Sequence, residues 1–323
     1  MASSGARLVR AFFCLIGLLA ASGAVAVAAE FPVRIVVQGG ADGSASRQAQ
    51  LLAEALQRQS GRQFIIDHRD GIGGSSAAAV VARSAADGHV LLFADASLAV
   101  RAAGAALAGA ADWSLRELAP VGQISSTPLV LAVHPRVPAR TLPELLALAR
   151  SRDVRLQAGT GMAGGLDHLA VALLLPPLTA ARIAPFRGDA AATRQLAEGQ
   201  IDMLFVAAPL ALPQWVAGRV RLLAVTAASR NPGLTRLPVL GNAQAEFVSS
   251  QWYALFVPAT VAPRLVSALQ QSMRRALRDE AVTAYFEAHA VDAVSGDTAA
   301  LEALLRRETE RYGSLIRRAA MVP

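Results

Sequence analysis

Lysine is missing from all 323 residues, so arginine carries the whole of the positive side-chain charge. That absence excludes a phosphate-binding loop of the Gly-Lys-Ser/Thr type, whose lysine reaches the phosphates. Cysteine occurs once, as Cys14, so neither a disulfide framework nor a cysteine metal site is available. Aromatic residues are 5% and charged residues 17% of the chain, against 54% hydrophobic. So little charge on so apolar a chain excludes an intrinsically disordered protein. Beyond the N-terminus no apolar run approaches the ~20 residues of a membrane-spanning helix. One such run, 169–175, stops at Pro176-Pro177. A Gly-x-Ser-x-Gly elbow and a His-Glu-x-x-His pair are both missing. His68, His89, His134, His168 and His289 are too scattered for metal-ligand spacing. With neither a nucleophile–base pair nor a ligand cluster, the expectation is a protein that is not an enzyme and holds no metal or cofactor.

What is present begins with the N-terminus. Arg7 and Arg10 precede an apolar stretch over 11–19, and small residues follow to Ala29. A basic head, an apolar middle and small residues near the end describe a secretory signal, with cleavage expected just before Ala29 or Glu30. Cys14 follows Phe13 rather than a small residue, which argues against lipid attachment. Residues 1–29 are set apart on this basis, and the remaining length suits two domains at about 150 residues each. The formal charge of +7 is not concentrated: the C-terminal stretch 274–318 interleaves eight arginines with eight acids, as a solvated helix surface does. No nucleic acid is expected as a partner.

Two series of strands and helices follow. In the first, 33–37, 64–66 and 89–93 read as strands, with helices over 46–59 and 77–85 between them. In the second, strands are expected at 129–133, 155–158, 182–186, 201–206 and 220–226. The helices of that series fall at 142–151, 167–175 and 190–198. A strand at 252–257 resembles those of the first series, and the chain ends in helices over 263–278, 281–289 and 298–319. Such alternation with short turns predicts an α/β fold with mainly parallel sheets.

Three glycine-rich turns each feed a helix: 39–44, 71–75 and 159–165. Amides at a helix N-terminus have no internal partner and carry partial positive charge, and glycine lets an anion approach them. Converging turns from two domains would hold a small carboxylate without an ion pair. One turn also fits another chemistry. Gly159-x-Gly161-x-x-Gly164 lies between a strand and a helix, as a dinucleotide site requires, and Arg187 after the next strand would suit a 2′-phosphate. An NADP-binding oxidoreductase is therefore the alternative to solute capture.

Several stretches in one order carry a resemblance. They are Asp87-Gly88 before Leu91-Leu92, and Pro128-Leu129-Val130-Leu131-Ala132-Val133-His134-Pro135. Gly199-Gln200-Ile201-Asp202, Leu223-Ala224-Val225-Thr226, and Trp252-Tyr253 ahead of Pro258-Ala259 continue the series. With these the chain resembles the periplasmic receptors of tripartite tricarboxylate transporters, the Bug-type solute-binding proteins, from about Phe31 to its end. The resemblance implies a two-lobed Venus-flytrap fold with two crossing segments, near Ala132–Pro135 and Ser249–Tyr253. Lobe one would be 30–132 plus 253–323, and lobe two 133–252. It also implies a periplasmic location, a small carboxylate or amino-acid ligand, transient contact with membrane transporter subunits, and no stable oligomer. The ligand positions it implies are Gly39, Gly40, Asp42, Gly43, Ser44 and Ser46 in the first turn, and Asp95 and Ser97 after the third strand. In the second lobe they are Gly159, Thr160, Gly161, Gly164, Gly165 and His168, then Phe186, Arg187, Gly188 and Asp189, and Val206. The family's Pro-Gly-Gly-Gly-Thr-Asp loop is here the stretch 41–46, with Asp42 for a glycine and Ser46 for the acid. Its Tyr-Lys-Gly-Gly is Phe186-Arg187-Gly188-Asp189, and an acid after the following strand is Val206. The departures fall in the ligand loops and put two acids, Asp42 and Asp189, where a plain dicarboxylate would meet like charge.

Overall fold

The apolar run at 33–38 forms the buried strand β1 (Val33–Gln38). In the computed structural model residues 31–69, 75–109, 113–151, 154–175, 181–240, 250–319 and 321 are described. The expected export signal and the glycine turn at 71–74 lie outside these residues. After β1 comes α1 (Ser44–Ser60), stopped by Gly61 in the left-handed conformation at φ +71°. Then follow β2 (Phe64–Arg69), α2 (Ser75–Ala82), β3 (Val90–Asp95) and α3 (Ser97–Ala108). β1 lies between β2 and β3 and is parallel to both, as the βαβ reading requires.

The next strand, β4 (Leu118–Val133), is 16 residues long. The second series is then α4 (Leu142–Arg150), β5 (Gln157–Thr160), α5 (Leu166–Leu174), β6 (Arg182–Pro185), α6 (Asp189–Ala197), β7 (Met203–Ala207), α7 (Ala208–Val216) and β8 (Arg221–Val225). β5 runs parallel between β6 and β7. The chain closes with β9 (Ser250–Pro258), α8 (Pro263–Ala276), α9 (Glu280–Ala288), β10 (Asp292–Ala293) and α10 (Thr298–Arg318).

The two halves share a strand. Residues 118–128 of β4 pair antiparallel with β9, which in turn pairs with β3. Residues 129–133 of the same strand pair with β7 and β8. The two mainly parallel sheets expected from sequence are thus present and joined through the shared β4, in the order β2-β1-β3-β9-β4-β7-β5-β6. The change of partner falls between Pro128 and Leu129, ahead of the crossing placed by sequence at Ala132–Pro135. One core cluster also runs through both halves, from Val36 and Leu92 to Leu131 and Phe205. Two further clusters cover the opposite faces, one under α1, α8 and α9 and one under α6 and α7.

Four of these elements were not anticipated: α3, α7, the first part of β4 and the two-residue β10. α3 is alanine-rich, and α7 is almost wholly apolar with Pro209 at its start and Pro213 inside it, so neither shows a clear polar face and their periodicity is weak. The first part of β4 contains Pro120, Gly122 and Pro128, which break a strand pattern in sequence. The structure accommodates them through register shifts at Pro120/Gly122 and Gln123/Ser125. At Gly122 an added Cβ would stand 2.7 Å from the carbonyl oxygen of Gly296 and 2.6 Å from Met273 Cε. Gly122→Ala is therefore expected to cost about 1–3 kcal/mol, read as a lower urea midpoint at unchanged slope.

Candidate functional site

The helices that follow β1, β3, β5, β6 and β7 all begin at one cavity, so the site is built from helix N-termini. After β1, Gly39 adopts φ +98°, and the Gly43 amide donates to the Gly40 carbonyl at 3.3 Å. α1 then opens at Ser44, whose amide donates to Asp189 Oδ2 at 3.3 Å. Asp189 is the first residue of α6, and its Oδ1 accepts from the Ala190 amide at 2.9 Å. One carboxylate therefore faces two helix N-termini, where the partial charge favours an anion. The fit depends on glycine: a Cβ at Gly43 would lie 2.7 Å from Asp189 Oδ1. Behind the pair, the buried Tyr253 hydroxyl donates to Ser44 Oγ at 2.9 Å and fixes the start of α1.

The β5–α5 turn repeats the arrangement with a second acid. Asp167 Oδ2 accepts from the Thr160 hydroxyl at 2.7 Å and from the Gly161 amide at 2.5 Å. The Gly161 carbonyl accepts from the Gly188 amide at 2.8 Å, joining this turn to the one before α6. A Cβ at Gly161 would lie 2.6 Å from the Asp189 nitrogen and 2.7 Å from its Cα, so backbone excludes any other residue. The Leu166 amide at the start of α5 donates to Ser97 Oγ at 3.2 Å, linking α5 to the first turn of α3. A third acid, Asp95, accepts from the Ser97 amide at 2.9 Å.

These turns surround a small cavity that is partly open to solvent. Of the residues expected at the ligand, Gly39, Gly40, Gly43, Asp95, Ser97, Gly161, Gly188, Asp189 and Val206 line it. Sequence reasoning missed Gln38, Ala45, Leu129, Met162, Asp167, Phe205, Ala207 and Gln251, which complete the wall. Among the described residues the lining holds three carboxylates and no cationic side chain. Each acid is half-buried, with one edge on the cavity and protein packed round the rest. Burial pushes Asp167 and Asp189 up to about 6, against the hydrogen bonds from Thr160 and from the Ser44 amide that pull them down. Burial raises Asp95 as well, opposed chiefly by the charge of Arg101. Arg101 is itself lowered to about 10 by burial, and it donates to Gln38 Oε1 at 2.5 Å and to Met162 Sδ at 3.4 Å.

The other expected positions have different work. Asp42 stands at the exposed rim, paired with Arg194 at 2.5 Å, and that hydrogen bond holds its carboxyl below the usual range. Ser44 contributes its amide to Asp189 rather than to the cavity wall. Ser46 is fully buried and turned to His68 Nε2 at 2.7 Å. Gly159 sits inside β5, where a Cβ would meet Ile201 and Phe186, so glycine and Phe186 there serve packing. Thr160 holds Asp167. Gly164, at φ +73°, donates its amide to His168 Nδ1 at 2.9 Å, so His168 fastens the loop. Gly165 is the N-cap of α5, and Arg187 is exposed. This geometry overturns the dinucleotide reading of Gly159-x-Gly161-x-x-Gly164. The amides that would cradle a pyrophosphate are taken by Asp167 and His168, and three carboxylates face the space.

Comparison with known proteins gives one consistent answer. A family model described as "Tripartite tricarboxylate transporter family receptor" matches residues 47–321. Protein BugT of Bordetella pertussis is 27% identical over 289 residues, covering 88% of each chain. An R. palustris protein solved with adipate superposes with a TM-score of 0.81 at 25% identity, over 90% of this chain and 98% of that one. The periplasmic binding protein BugD gives a TM-score of 0.80 at 22% identity, over 90% and 98%, and shows the fold.

Two outcomes follow from this geometry. Gly161→Ala is expected to force the two turns apart and to lower the melting temperature, since the clash is with backbone; calorimetric scanning reads it. The raised acids fix the sign of a pH effect. Between the ordinary Asp value of 3.8 and about 6 the folded chain keeps a proton that the unfolded chain has lost, so stability falls as pH rises through that window. Asp189→Asn removes its share of that dependence. Its melting temperature relative to the parent protein is expected to be more favourable at pH 7.5 than at pH 4.5.

Proposed function

The chain belongs to the tripartite tricarboxylate transporter receptor family, and from that premise we propose that it captures a small carboxylate-bearing solute in the cavity beside Asp189. On this reading the protein is exported by residues 1–29, works in the periplasm, and passes its solute to membrane transporter subunits without altering it. Among the described residues no helix is long and apolar enough to cross a membrane. We assign one lobe to 30–132 with 253–323 and the other to 133–252, with the cavity between them.

The observation that carries the proposal is the convergence of helix N-termini from both halves on one cavity. α1 and α3 come from the first half, α5, α6 and α7 from the second. First-turn amides such as that of Ala45, which lines the cavity, have no partner inside their own helix. Oriented amides in a recess accept a carboxylate without an opposing side-chain charge. The adipate found with the R. palustris relative supports a ligand of this class.

A thermal-shift screen of the purified protein against small mono- and dicarboxylates, amino acids and NADP(H) tests the reading. At least one carboxylate is expected to stabilise saturably, by about 2.7 kcal/mol when present at a hundredfold excess over Kd. Gly161→Ala is expected to abolish that response while its circular dichroism stays native. Stabilisation by NADP(H) with none by any carboxylate would overturn the proposal.

A further inference from the structure

We propose that the cavity selects a solute whose carboxylate is accompanied by a protonated nitrogen, received by Asp95, Asp189 and the side-chain oxygen of Gln251. The inference rests on the receptor reading above and specifies its ligand. It starts from charge. Asp95, Asp167 and Asp189 line the cavity, and among the described residues no arginine or histidine side chain joins them there. Arg101, whose charge reaches Asp95, is directed to Gln38 and Met162 and does not line the space.

A second observation is independent of the acids. Gln251, on β9, lines the cavity and is only 8% exposed. Its side chain hydrogen-bonds Asp95, and its Oε1 has no hydrogen-bond partner. A buried amide oxygen without a donor is costly, and an arriving N–H group removes the cost. Acceptor capacity is also left on the acids. Each Asp189 oxygen accepts one backbone amide, and Asp95 accepts from the Ser97 amide and from the side chains of Ser97 and Gln251, while the two oxygens of a carboxylate offer about four lone pairs. The wall therefore presents free acceptor capacity on a site where one buried arginine, Arg101, stands against three carboxylates.

A metal ion answers that charge less well than an organic cation. Among the described residues no three His, Cys, Asp or Glu side chains are placed to hold one. An ammonium group has three N–H donors that radiate to separate acceptors, which matches carboxylates spread round a cavity. Asp42, the other acid that sequence put near the ligand, is spent on Arg194 at the rim and takes no part.

Calorimetry at pH 7.5 decides the matter with three groups of probe: the standard amino acids, the same acids N-acetylated, and the plain dicarboxylates succinate and adipate. An amino acid is expected to bind at least about tenfold tighter than its acetylated form and than either dicarboxylate, the range of one charge-assisted hydrogen bond. Because acetylation changes the ligand and not the protein, this comparison does not depend on any variant folding. Gln251→Leu, whose stability is checked separately, is expected to weaken the amino acid about tenfold and to leave dicarboxylates unchanged. A dicarboxylate that binds as tightly as the best amino acid would overturn the inference and leave the receptor reading standing; so would equal binding of free and acetylated forms. Failure of every carboxylate and amino acid to bind would overturn both.

Discussion

The contact on which the site depends is the Asp189 carboxylate set against the first turn of α1. It joins residues 145 positions apart in the chain and binds the start of a helix in one half to the start of a helix in the other. Several other features exist to allow it. Gly43 leaves room for the carboxylate, Gly161 leaves room for the backbone that carries it, and Tyr253 fixes Ser44 from behind. Gly188, at φ +98°, turns the chain so that α6 starts at Asp189. Replace any of these and the acid either loses its amides or cannot reach them.

The same contact explains how three acids coexist without a cation among them. A buried carboxylate is tolerated only if its charge is answered; for Asp167 and Asp189 the answers are backbone amides and a hydroxyl at helix starts, and for Asp95 the charge of Arg101 adds to them. Asp189 uses the amides of Ser44 and Ala190, Asp167 uses Thr160 and Gly161, and Asp95 uses Ser97. These donors compensate in part, which is why the acids still titrate above their ordinary range. The positive ends of the helices are thus partly occupied by the chain itself.

Much of this architecture was legible in sequence, because it rests on local patterns. Alternating apolar strands and helices located the βαβ series, and glycines before helices located two of the turns that line the cavity. What sequence misjudged is set by distance in space. Asp42 looked like a ligand residue from its place in a glycine loop, and Arg194, 152 positions away, takes it. His168 and Ser46 carry polar groups in the right segments, yet each is turned to a local partner, Gly164 and His68. Asp167, Gln38 and Gln251 gave no signal, since an acid in a first helical turn and glutamines at strand positions are ordinary until the fold brings them to one wall. β4 escaped because its prolines and glycine read as a break, whereas shifts of register let them sit in a strand.

That strand also explains why binding and the junction of the halves coincide. β4 changes partner between Pro128 and Leu129, and Leu129 lines the cavity. Leu129 is held at both ends of its peptide unit: its amide donates to Thr226 Oγ1 at 3.0 Å, and its carbonyl accepts from the Thr226 amide at 2.9 Å. Beside it, Thr127 pairs in register with Gln251 on β9. The wall that meets the solute is therefore built from the same residues that carry the ladder from one half to the other. The backbone around Leu129 and Gln251 sets the acceptors on β9 against the strand that carries β7 and β8, so one stretch of ladder supports both the cavity wall and the junction.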